Sequence, residues 1–183
     1  GSCAQNFIEG FRGLVQCDGY QGYNKLEDVI LVCCLAHARR KFFEAVPAAR
    51  RKRLKLLDIN SDEAIEDINL PDEEEAKQLL PAEIGLLYCN KLFYLERTLK
   101  DLNPEERKQQ RDVLEQPVWD QFWNWLDTLH PTGGSKLGKA VDYAQNHHDT
   151  LMDYLLDGRC EISNNRAERK AKSYAIGRKA FLF

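Results

Sequence analysis

Two short apolar runs stand near the start of the chain. Leu14-Val15-Gln16-Cys17 ends at Asp18-Gly19, which predicts a buried strand stopped by a turn. Val29-Ile30-Leu31-Val32-Cys33-Cys34 follows after about ten residues and is rich in β-branched side chains, which predicts a second strand. The period then changes from strand-like to helical. Leu35, Ala38, Phe42 and Ala45 share one helical face, and His37, Arg40, Lys41 and Glu44 another. From about 74 to 157 the pattern is helical, with Pro81, Pro104 and Pro117 marking breaks or first turns. Ile84, Leu87, Tyr88, Lys91, Leu92 and Leu95 keep helical spacing, as do Trp119, Phe122, Trp123 and Leu126. The aromatic stripe reads as core rather than as a stacking platform, because its spacing gives one face. His130-Pro131-Thr132-Gly133-Gly134 is a loop, and one helix is expected from there to Leu156. A last helix begins near Ser163-Asn164-Asn165, and Gly177 ends it.

The chain has 183 residues, which suits one domain or two. Hydrophobic residues make up 43% and charged residues 30%, so the chain is neither a disordered tail nor a membrane span. No apolar run is long enough for a transmembrane helix, and no secretory leader opens the sequence. Gly1-Ser2 resembles an expression scar and the only methionine is Met152, so the chain reads as a piece of a larger protein. Six cysteines show no C-x-x-C pair, and buried reduced thiols are the expected state.

Charge is unevenly spread. Between 37 and 55 there are eight basic residues against Glu44 alone. Between 58 and 83 there are ten acidic residues against Lys77. Between 159 and 179 there are seven basic residues against Glu161 and Glu168. Basic blocks of this density suit a phosphate backbone, although either alone is equally a solvated face. The acidic block reads as an exposed loop or helix start that repels nucleic acid.

Few residues suggest chemistry, and each has a plainer reading. Asp18, at the end of a strand and before a glycine, has a rigid base and an open front, as metal ligands often do. Asp-Gly is also a common turn. Glu168 stands in the first turn of a basic helix, where Asn165-x-x-Glu168 resembles a capping box and Lys172 offers an i+4 partner. His37 on a polar helical face is ordinarily a surface residue. His147-His148 lies mid-helix without partners at metal spacing and is set aside.

Read together, these stretches resemble a known family. Asp18-Gly19-Tyr20-Gln21-Gly22-Tyr23, the run Cys34 to Glu44, Asn164-Asn165-Arg166-Ala167-Glu168-Arg169 and the run Ile176 to Phe183 are similar, in the same order, to the core motifs of the insertion-sequence-sixty-six family of bacterial transposases. The motifs cover both ends of the chain, and the middle matches only as a long helical insertion. The family carries an aspartate where Ser163 stands, and basic and proline residues where Lys172 and Ser173 stand.

The resemblance implies an α/β fold, mostly helical by content. An incomplete ribonuclease-H-like core, two strands plus flanking helices, would carry a large all-helical insertion. Residues 1–46 would form the first part of the core, 47–157 the acidic loop and insertion, and 158–183 the second part with Glu168. Asp18 and Glu168 would be two of three metal-binding carboxylates. The first aspartate would lie outside this chain, because the only acidic residue before Asp18 is Glu9. Mg2+ (or Mn2+) is the implied cofactor, in the complete site only. The implied activity is cleavage and joining of DNA strands by two-metal phosphoryl transfer, with this fragment alone inactive. His37, Arg40, Lys41, Asn165, Arg166, Arg169, Arg178 and Lys179 would contact DNA. The implied partners are double-stranded DNA, as transposon ends and target, and further copies assembling on it. The implied location is the bacterial cytoplasm, at the nucleoid. A non-catalytic helical module that binds nucleic acid through its basic blocks is the alternative, and a helical scaffold with merely solvated blocks a third reading.

Overall fold

The structure is a computed structural model, and it describes residues 8, 10–19, 21–53, 69–165, 167, 168 and 170. Two strands, β1 (Gly13–Cys17) and β2 (Val29–Cys33), pair in parallel from Gly13↔Val29 to Cys17↔Cys33. A 3-10 turn at Gln21–Lys25 lies in the connection. Val32 and Cys33 are buried, while Ile30, on the same face as Val32, is exposed, so burial rises towards the carboxyl end of the strand, where the next helix begins. Cys34 is not a strand residue, as its apolar run suggested. Its N–H donates to the Cys17 carbonyl at 3.0 Å, extending the ladder by one bond, and it is the N-cap of the next helix. Strand therefore passes into helix with no loop between them.

That helix, α1 (Leu35–Ala45), buries Leu35, Ala36, Ala38, Arg39 and Phe42. Arg39 belongs to the first basic block, yet its Nε donates to Asn90 Oδ1 in the interior. A short helix α2 (Ala48–Arg53) follows. Helix α3 (Glu73–Ala76) is capped by Asp72. Much of the acidic block, 54–68, lies outside the described residues. Its last member corrects the expectation of an exposed acidic face: Glu83 is 2% exposed and is paired with Arg50 Nε at 2.8 Å.

Four longer elements complete the described helical part. Helix α4 (Pro81–Thr98) and α5 (Pro104–Leu114) both begin on proline, whose fixed φ suits a first turn. Helix α6 (Gln116–Leu126) carries the aromatic stripe. Helix α7 (Lys136–Asn146) is capped by Ser135 Oγ, which accepts from Gly138 N at 2.9 Å. Helix α1 packs on α4 and α7. Gly85 of α4 lets Phe42 come close, since a Cβ there would lie 2.5 Å from the ring. Phe42, Tyr88, Trp119, Phe122, Trp123 and Trp125 form one aromatic core, Trp119 and Trp123 stacking at 5.5 Å. The stripe is core, as its spacing predicted.

The single helix expected to run to Leu156 is broken. α7 stops at Asn146, His147 takes φ −121° and ψ 24°, and α8 (His148–Met152) and a 3-10 turn (Asp153–Leu156) follow. The chain then crosses under α5. Arg111 is wholly buried and binds Glu96 with both prongs, at 2.6 and 2.9 Å. It also donates to the carbonyls of Tyr154, Asp157 and Cys160 at 2.7–3.0 Å. These bonds lead the chain back to the sheet, where Leu35 N donates to the Ile162 carbonyl at 3.1 Å. The chain is thus mostly helical, with two parallel strands among the described residues.

The outer edge of β1 has no strand partner among the described residues. A groove of about 730 Å³ runs along it, lined in part by Phe11, Leu14, Gln16, Glu161 and Ser163.

Candidate functional site

The carboxyl end of the two-stranded sheet gathers the residues that could carry chemistry. Asp18 follows directly on β1 and is exposed. His37 lies in the first turn of α1, three residues beyond the Cys34 cap. Asn165, Ala167, Glu168 and Lys170 are helical. The Glu168 N–H donates to the Asn164 carbonyl at 2.9 Å, so that helix has already begun at Asn165 and Glu168 lies one residue beyond the capping-box position. The Glu168 carboxylate faces another way: its Oε1 is 3.6 Å from His37 Nε2.

One helical turn along α1 from His37, Lys41 holds its Nζ over the Tyr143 ring, 4.9 Å from the centroid. Tyr143 in turn donates its hydroxyl to the Asp18 carbonyl at 3.4 Å. A continuous path of contacts thus runs from Glu168 through α1 and α7 to Asp18. His147 lies 4.6 Å from Tyr143, ring to ring, with Nδ1 3.5 Å from Cys33 Sγ. Burial and the nearby Lys41 charge hold the His147 imidazole below its ordinary pKa.

The sulfurs of Cys17 and Cys33, the paired last residues of the two strands, are 3.9 Å apart. The hydrogen bond between them lowers the Cys17 thiol to about 7 and raises that of Cys33. All five described cysteines are free, as the sequence led us to expect.

The donors that open to solvent are hard carboxylate oxygens, which suit Mg2+ or Mn2+. Among the described residues no group of three or more His, Cys, Asp and Glu side chains could hold a metal ion. The chemistry of these two side chains, taken singly, is that of hard-cation ligands.

The other expected contact residues are unevenly placed. Arg40 is exposed on α1, Lys41 is half-buried and Asn165 is half-buried. Arg166, Arg169, Arg178 and Lys179 lie outside the described residues. Much of the first basic block serves the fold: Arg39 binds Asn90, Arg50 binds Glu83, and Arg51 binds the Val46 carbonyl and covers Phe43. Sequence reasoning missed Tyr143 and discarded His147. Their i,i+4 spacing puts them on one flank of a helix, which was the available sign. Nothing in the sequence joined that flank to Asp18, 125 residues away.

Comparison with known proteins agrees with the motif order. The model of the transposase IS66 family matches residues 1–183, and the chain belongs to that family. It is 29% identical over 193 residues to the uncharacterized protein y4hP of Sinorhizobium fredii (strain NBRC 101917 / NGR234), covering 100% of this chain and 32% of that one. It is also 29% identical to y4jD of the same organism, over 98% of this chain and 32% of that protein. The chain thus spans about a third of the length of the curated relatives it matches. No solved structure matches it. Among the described residues no helix is long and apolar enough to cross a membrane.

Proposed function

We propose that this chain is part of a DNA transposase that cleaves and joins strands by metal-assisted phosphoryl transfer, with Asp18 and Glu168 as two of three metal-binding carboxylates. The observation that carries this is their setting. Asp18 follows directly on β1, and Glu168 is tied by His37 to the helix that begins where β2 ends, so both belong to the carboxyl end of one parallel sheet. Binding sites of open α/β sheets form at that end. We read the two strands, α1 and the segment from 158 onward as an incomplete ribonuclease-H-like core, with 47–157 as an insertion. The free edge of β1 and the groove beside it would receive further strands of the same longer protein.

Divalent cations there would activate the attacking water or 3′-hydroxyl and stabilise the leaving oxygen. The chain's own residues do the rest. Asp18 and Glu168 supply anionic oxygens at fixed positions. His37 orients the Glu168 carboxylate. Arg40 and Lys41 neutralise phosphates on the flank of the site, and Arg166, Arg169, Arg178 and Lys179 extend that surface. DNA is the substrate, and copies of the protein assemble on it in the cytoplasm, at the nucleoid. The alternative of a purely electrostatic binding module is weakened by the internal pairing of Arg39, Arg50 and Arg51.

The test is made in the full-length protein. Asp18→Asn and Glu168→Gln each abolish strand cleavage and joining, while binding to end DNA stays at the wild-type level. Cleavage at the wild-type rate by either variant overturns the reading. Binding with no metal-dependent cleavage by the parent protein favours the module.

A further inference from the structure

The helical insertion reaches the Asp18 turn directly. The Tyr143 hydroxyl donates to the Asp18 carbonyl, just past the last ladder bond, from Cys34 N–H to the Cys17 carbonyl. The next residue, Gly19, has φ +78°, which a side chain rarely adopts. A Cβ on Gly19 would stand 2.9 Å from Tyr143 Oη and 3.0 Å from His147 Nε2. The turn is therefore closed from above by two side chains of the insertion, at contact distance.

Both side chains are themselves held. His147 has Gly19 at Nε2 and Cys33 Sγ at Nδ1, so its ring spans from the Asp18–Gly19 turn to the end of β2. That placement depends on the break between α7 and α8, which falls at His147. Tyr143 stacks obliquely on the His147 ring and carries Lys41 on its own ring. Lys41 belongs to α1, whose first turn carries His37 and so reaches Glu168. The clamp at Asp18 and the tether at Glu168 thus meet on one helix.

We infer that Tyr143 and His147 are positioning residues: they clamp the Asp18–Gly19 turn and set where the Asp18 carboxylate sits. The insertion then completes the catalytic site and does more than decorate it. This inference rests on Asp18 being a catalytic carboxylate. The physical need is plain, since misplacing a catalytic group by about 1 Å costs about a hundredfold in rate, and a site is held to that tolerance only when packed neighbours fix the element that carries it.

The experiment uses full-length protein and end DNA, and follows cleavage rate against Mg2+ concentration. Tyr143→Phe removes one oxygen and keeps the ring under Lys41. Gly19→Ala drives a methyl group into the clamp. Each is expected to slow cleavage about 10- to 100-fold at saturating DNA and to raise the Mg2+ concentration at half-maximal rate, with DNA affinity unchanged. His147→Gln, which keeps a polar tip near Gly19, restores part of the activity that His147→Ala loses. Thermal unfolding of Tyr143→Phe stays close to wild type, so a folding defect cannot account for its loss. If Gly19→Ala does not fold, Tyr143→Phe decides alone. Wild-type rate and Mg2+ dependence in Tyr143→Phe, with Asp18→Asn inactive, overturn the inference and leave the function standing. An active Asp18→Asn overturns both.

Discussion

His37 Nε2 lies 3.6 Å from Glu168 Oε1, joining the first turn of α1 to a helix about 130 residues further along the chain. The pair is partly open to solvent, with side chains 24% and 34% exposed. A contact so exposed contributes about 0–1 kcal/mol to stability. Its consequence is directional, because it draws one Glu168 carboxylate oxygen towards the first turn of α1.

His37→Ala is therefore expected to change unfolding free energy by less than about 1 kcal/mol. In the full-length protein it lowers the cleavage rate while the fold persists. Denaturant unfolding beside a single-turnover cleavage assay checks both. A large loss of stability at unchanged cleavage contradicts the role given to this histidine.

Arg111 bears a heavier load. It neutralises Glu96 and satisfies three backbone carbonyls while fully buried. Arg111→Met leaves a nearly buried carboxylate without its partner, which costs about 3–5 kcal/mol. Arg111→Lys recovers little of that loss, because an ammonium cannot make the two-pronged contact. The check is the urea midpoint of the two variants. Because the bonded carbonyls precede Glu168 in the chain, both variants also lose metal-dependent cleavage.

Glu115 sets a pH dependence. It is buried, its Oε2 is hydrogen-bonded to Tyr154 Oη, and its Oε1 has no hydrogen-bond partner among the described residues. Burial first, and then the Glu96 charge, push its carboxyl well above the ordinary 4.5. The folded state thus holds a proton that the unfolded chain releases above that value. Its contribution is full below pH 4.5 and is lost as pH rises towards the folded-state pKa. Glu115→Gln removes this titration. Its melting temperature relative to wild type is expected to climb from pH 4.5 towards neutrality. A difference that stays flat with pH would falsify the assignment.

Much of the local structure was legible. Both strands, α1 and the proline-led starts of α4 and α5 follow from apolar periodicity and the fixed φ of proline. Capping chemistry at Asn103 and Ser135 fixes the beginnings of α5 and α7. The carboxylates of the candidate site were legible as types in motif order. The break at His147 was not, since residues 136–156 contain no proline, and their only glycine, Gly138, falls early in α7. Nor could composition separate Arg40, which is exposed, from Arg39, which is buried against Asn90.

The sequence by itself determined the elements, because propensity, caps and apolar period act within a few residues. It also determined the family, because the motif residues stand in a preserved order. Only the tertiary structure decided which charges face solvent and which are consumed within the fold, as Arg39, Arg50 and Arg111 are. It alone set Glu168 beside His37 and Tyr143 over the Asp18 turn. Those contacts join residues up to 131 positions apart, and no local rule reaches that far: they exist because burying the apolar faces of α1, α4 and α7 together leaves one arrangement in which their polar flanks meet.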